Sequence, residues 1–134
     1  MVVLDTNVVL DWLLFEDATV RPIASAVMQQ RLRWIVSSAM RDEFAQVLGA
    51  GLAAAHGREA ANLLQAWDRY VTPRPSAASH PLRCRDADDQ MFIDLALSAG
   101  ARWLVSRDGA VLALRRRAAL LGLRIVRPAE WMPQ

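Results

Sequence analysis

Asp5, Glu43, Asp86, Asp88, Asp89 and Asp108 are spread over the length of the chain, yet each falls where a strand is expected to end or a helix to begin. Asp5 closes the apolar run Val2, Val3, Leu4, and Asp108 follows Trp103, Leu104, Val105 after two residues. Open α/β folds place ligands outside the carboxyl ends of their strands, so both aspartates belong at such an edge. Oxygen-only donors gathered there suit a hard divalent cation, Mg²⁺ or Mn²⁺. Carboxylates brought within several ångströms repel one another, and a bound cation relieves that repulsion while keeping waters and room for phosphate oxygens. Such an ion can orient a water for in-line attack on phosphorus and stabilise the leaving oxygen.

Taken singly, every acid has a local alternative. Asp5, Asp86 and Asp88 can cap the helices that follow them, Asp108 can hold a turn with Gly109, and Glu43 can be solvated. Other chemistries fail on composition. All 16 basic residues are arginine, so phosphatases and phosphotransfer domains that need a lysine beside an aspartyl phosphate are excluded. Asn7 also stands where such phosphatases need a second aspartate. The single cysteine, Cys84, permits no internal disulfide, and His56 and His80 lack the spacing of a metal pair. No glycine-rich phosphate loop of the nucleotide-binding type is present.

These acids must be positioned by a fold that the patterning describes. A chain of 134 residues, 54% hydrophobic and 22% charged, is expected to form one domain over residues 1–134. Short apolar runs alternate with helix-period stretches, the mark of a parallel sheet covered by helices. Strands are expected at Val2–Leu4, Trp34–Val36, Tyr70–Thr72, Arg102–Val105 and Leu123–Val126. Helices are expected after Asp5, from Pro22, from Ala39 until Gly49 and Gly51, over 52–70 with a break near His56, over 89–99 until Gly100, and over 110–121. A loop is expected over 73–81. No apolar run approaches the roughly 18 residues of a membrane span, and a cytoplasmic location is expected.

Four segments then resemble the PIN-domain ribonucleases, nearest to the toxin branch of prokaryotic toxin–antitoxin modules. They are Val3-Leu4-Asp5-Thr6-Asn7, Arg41-Asp42-Glu43-Phe44, Asp86-Ala87-Asp88-Asp89-Gln90-Met91-Phe92 and Leu104-Val105-Ser106-Arg107-Asp108. The resemblance implies a three-layer α/β/α sandwich with a short parallel sheet, and a metal-dependent endoribonuclease using Mg²⁺ or Mn²⁺. It implies Asp5, Glu43, Asp89 and Asp108 as catalytic metal ligands, with Asn7 and Ser106 as polar supports. Within the acidic run Asp89 is preferred because it stands three residues before Phe92, followed by Asp88 and then Asp86. The resemblance further implies an RNA substrate, a small cognate antitoxin and a homodimer. The alternative is a PIN scaffold that binds RNA or protein without cutting.

A net charge of +2 does not diagnose a nucleic-acid partner. Position is more informative, and Arg107, Arg85 and Arg83 lie nearest the acids as candidate phosphate contacts. The run Arg115, Arg116, Arg117 reads first as a solvated helix face. Trp12, Trp34 and Trp103 are expected in the core, with Trp67 and Trp131 partly exposed.

Overall fold

Five three-residue strands, the central three wholly apolar, pair into one parallel sheet in the computed structural model, which describes residues 1–133. In chain order the elements are β1 (Val2–Leu4), α1 (Thr6–Leu13), α2 (Arg21–Met28), β2 (Trp34–Val36), α3 (Ser38–Val47), α4 (Ala53–Ala55), α5 (Ala60–Tyr70), β3 (Val71–Pro73), α6 (Gln90–Ser98), β4 (Trp103–Val105), α7 (Gly109–Leu112), α8 (Arg115–Leu120) and β5 (Arg124–Val126). The strand order is β3-β2-β1-β4-β5. β1, β2 and β4 are buried along their whole length, as strands covered on both faces must be. The fold is a three-layer α/β/α sandwich with a short parallel sheet.

The chain leaves β1 towards β2 and β3, then crosses back to β4 and β5 on the other side. The order therefore reverses between β1 and β4, where the two carboxyl ends open a crevice. Register aligns Leu4 with Val105, so Asp5 and Ser106 emerge side by side at that point. Asp5 donates its backbone N–H to the Val105 carbonyl at 3.1 Å.

One apolar core surrounds the sheet. Trp67 stands between Trp34 and Phe44, with ring centroids 4.8 Å away from each, and Trp131 lies edge-on to Trp103 at 6.3 Å. Trp67 and Trp131 are thus buried rather than partly exposed, and Trp12 is the half-buried one. Helical spacing alone did not show that α5 turns Trp67 towards β2. Trp67→Ala is expected to cost about 3–5 kcal/mol, the range for truncating a buried aromatic. Urea unfolding measures it as a lower midpoint with an unchanged slope.

Breaks between elements have mostly local causes. The helix from Ser38 stops at the glycines as expected: Gly51, at φ +101°, takes a non-helical conformation that kinks the chain within Leu48–Leu52 and separates α3 from α4. The expected break near His56 falls at 56–59, where Gly57 takes φ +67°. The helix expected over 110–121 is two, α7 and α8, and no glycine or proline marks the division at Ala113 and Leu114. Among the described residues no helix is long and apolar enough to cross a membrane.

Candidate metal centre

Asp5, Thr6, Asn7, Glu43, Asp89 and Asp108 line one cleft of about 110 Å³, walled on its apolar side by Val47 and Phe92. Four distant segments meet here because β1 and β4 end side by side while α3 and α6 pass over the same edge. Among the polar lining residues, Thr6 is the one to which sequence reasoning assigned no role. Thr6 donates its hydroxyl to Glu43 Oε2 and so orients that carboxylate. The available signal was its place directly after Asp5.

Capping and cleft-lining are not alternatives for Asp5 and Asp108. Asp5 Oδ1 accepts the Val8 N–H at 3.0 Å, capping α1, while Oδ2 accepts the hydroxyl of the fully buried Ser106. Ser106 Oγ also accepts the Asp108 N–H at 3.0 Å, and Asp108 Oδ1 accepts the Ala110 N–H at 2.8 Å. One serine hydroxyl thereby links the ends of β1 and β4. Asp89 behaves differently. It precedes α6 without making any side-chain cap, and its Oδ2 is buried with no hydrogen-bond partner.

Asp86, Asp89 and Asp108 each bring one carboxylate oxygen within 4.8 Å of the others. This tight group includes Asp86, the last-ranked acid of its run, whereas Asp5 and Glu43 line the same cleft but are turned towards Ser106 and Thr6. A short 3₁₀ turn over Ala87–Asp89, capped by Asp86 accepting the Asp88 N–H at 3.0 Å, folds Asp86 back towards Asp89. Asp86 and Asp88 are both exposed and neither lines the cleft itself, but Asp88 also stands outside the tight carboxylate group.

Electrostatics set the cleft apart from an ordinary acidic surface. Burial pushes the Asp5 carboxyl up to about 6, against the opposing pull of the Ser106 and Val8 hydrogen bonds, with the charges of Asp108 and Asp11 adding to the rise. Asp89 is pushed up to about 7, first by burial and then by the charges of Asp108, Asp86 and Asp5. Both acids are thus poised near neutrality. An oxygen-only donor set with one buried, unpartnered carboxylate oxygen fits a hard divalent cation.

A family model described as "PIN domain" matches residues 1–110, a span that contains every acid of the cleft. The chain belongs to the PIN-domain family. No curated protein matches the chain as a relative. PIN domains are typically metal-dependent nucleases, and the Asp86, Asp89 and Asp108 cluster is consistent with a metal site of that kind.

The arginines near this PIN-domain cleft divide by partner. Arg107 turns away from it, donating to Asp11 at 3.1 Å, to Thr19 at 2.6 Å and to Asp17 at 3.4 Å. In this arrangement Arg107 ties the start of α7 to the end of α1. Arg83 donates to Ser79. Arg85 lies against the start of α7, its Nη2 only 3.7 Å from where a Cβ on Gly109 would stand, and it makes no carboxylate pair among the described residues. Gln90 is buried, its amide accepting the Cys84 N–H at 2.7 Å and donating to the Leu82 carbonyl at 3.0 Å, which pins the loop that delivers Arg85 and Asp86.

Proposed function

We propose that this PIN domain is a metal-dependent endoribonuclease and the toxin of a type II toxin–antitoxin pair, acting in the cytoplasm, as a homodimer, under the control of a small cognate antitoxin. The observation behind the hydrolytic reading is Asp89, which lines a cleft with Asp5, Glu43 and Asp108, brings a carboxylate oxygen within 4.8 Å of those of Asp86 and Asp108, and keeps one buried oxygen without a partner. Asp5, Glu43, Asp89 and Asp108, joined by Asp86, would hold Mg²⁺ or Mn²⁺, which when bound supplies charge for an attacking water and a leaving oxygen. Ser106 and Thr6 fix two of the carboxylates through their hydroxyls, as supporting groups around metal sites do. Asn7 stands exposed at the cleft mouth, and Arg85 offers a forked guanidinium to a phosphate beside Asp108. The toxin assignment draws support from the four motif segments alone.

Incubation of the purified protein with a mixed RNA pool tests the reading. Cleavage is expected with Mg²⁺ or Mn²⁺, none with EDTA, and Asp89→Asn is expected to lower the rate by about two orders of magnitude or more. Metal-independent cleavage, or full activity in Asp89→Asn, overturns the proposal. Binding without any cutting identifies a silent scaffold.

A further inference from the structure

The edge of the sheet opposite the acids is cationic. Arg33 directly precedes β2, Arg102 directly precedes β4, Arg124 opens β5 in register with Trp103, and Arg69 lies two residues before β3. All four are exposed, and none is within ion-pair distance of a carboxylate among the described residues. Neighbouring strands lie about 4.8 Å apart, so four interstrand steps spread this row over about 19 Å. The register places the row at the amino ends of the strands, at least a strand length of about 10 Å from the cleft.

Two cavities open along the row. One, of about 610 Å³, is lined by Arg33, Arg69 and Tyr70 among others, and a second, of about 410 Å³, by Arg31, Arg102 and Trp103. Leu32 lines both, so they flank the same turn between α2 and β2. No acidic residue lines either, whereas Arg124 lines a third cavity, of about 480 Å³, together with Arg115, Arg116 and Glu130, which Arg115 pairs at 2.9 Å. Aromatic rings hold the guanidinium groups in place: Arg69 lies 5.9 Å from the Tyr70 centroid, and Arg102 and Arg124 lie 5.8 and 5.6 Å from that of Trp103.

We infer that the amino edge of the sheet is a second RNA-binding surface, which grips the phosphodiester backbone of a single strand remote from the acidic cleft through Arg33, Arg69, Arg102 and Arg124. A row of unpaired guanidinium forks matches a ligand whose charge repeats along a line, and arginine is suited to bidentate phosphate contact. An acidic protein segment would need apolar anchors as well. Among the described residues Met28 and Met132 are the two exposed large apolar side chains lining the three cavities of the row, and they stand in different ones. The inference rests on the RNA reading for the identity of the polyanion.

The test is binding of a fluorescently labelled single-stranded RNA in EDTA, where cleavage plays no part. The combined variant Arg33→Gln, Arg102→Gln, Arg124→Gln is expected to bind about tenfold or more weakly and to lose about 2 from the slope of log affinity against log salt, at about 0.7 per single-strand phosphate contact. A thermal melt matching the parent excludes misfolding, and the single variant Arg33→Gln, expected to lose about 0.7 from the slope, reads the same effect with less perturbation. Unchanged affinity and slope in the combined variant overturn the inference. So does displacement of RNA by polyglutamate at equal charge concentration, which would identify an acidic protein partner. Native protein that binds through this row but cuts no RNA defeats the nuclease reading and leaves the surface standing; cutting with row-independent binding does the reverse.

Discussion

Asp5→Asn is expected to abolish metal-dependent RNA cleavage, by about three orders of magnitude or more, while leaving the metal-free protein as stable as before or more so. Asparagine keeps the shape of the side chain and an oxygen for the Val8 N–H, and its amide can donate to Ser106 Oγ. The cap of α1 and the link to β4 therefore survive. What disappears is a buried negative charge. The Asp5 carboxyl sits at about 6 in the fold against 3.8 for the free group, because burial penalises its ionised form. Below the lower value both folded and unfolded chains are protonated and the site costs nothing. As pH rises through the higher value, the unfolded chain has already released the proton and the fold loses stability, by up to about 3 kcal/mol for a shift of this size. Asp5→Asn removes that loss at neutral pH. Cleavage assays and melting curves on the same sample check both halves, and a variant that cuts RNA at the parental rate removes Asp5 from the machinery.

Mn²⁺ is expected to raise the melting temperature strongly at pH 8 and weakly at pH 5.5. Carboxylates must shed their protons to bind a cation, and Asp5 and Asp89 hold theirs up to about 6 and about 7. Acidifying to below both values makes protons compete at two ligands. Discounting Asp89 for its partial solvent exposure, the apparent metal affinity should fall about tenfold to a hundredfold, or about 1–3 kcal/mol of metal-linked stability. That amounts to several degrees of melting temperature in a domain of this size. Without metal the same two acids act in the opposite sense, since their raised values favour the fold on the acid side. Differential scanning fluorimetry with Mn²⁺ and with EDTA across this range resolves the two slopes. An equal Mn²⁺ shift at both pH values, or none at either, would show that these acids do not share an ion.

The two results together distinguish a metal cleft from a set of helix caps. Caps lose stability when neutralised, whereas a cluster of mutually repelling ligands gains it and loses its chemistry. Asp5 and Asp108 both cap a helix and line the cleft, which is why local reasoning on either residue pointed equally well to a cap. Asp89 is the discriminating case. It caps nothing, and its buried oxygen lacks a partner.

Much of this architecture was legible in the chain itself, because the signals are local. Apolar triplets such as Trp34–Val36 predict buried strands, and Asp5 immediately after Val2–Leu4 predicts a strand that turns into a capped helix. The spacing of the acids, with the motifs around them, led to a PIN-like sandwich and to the residues that line one cleft. Tertiary structure alone decided the order β3-β2-β1-β4-β5, which puts Asp5 beside Ser106, and the inclusion of Asp86 over Asp88 in the tight carboxylate group. It also decided that Arg107 serves Asp11 and Asp17, that Thr6 holds Glu43, and that Trp67 faces Trp34. Periodicity and capping preferences depend on neighbours a few residues away, so they survive in a string of letters. The direction of a side chain at the end of a turn depends on partners from distant segments, and those are present only once the sheet has closed around its core.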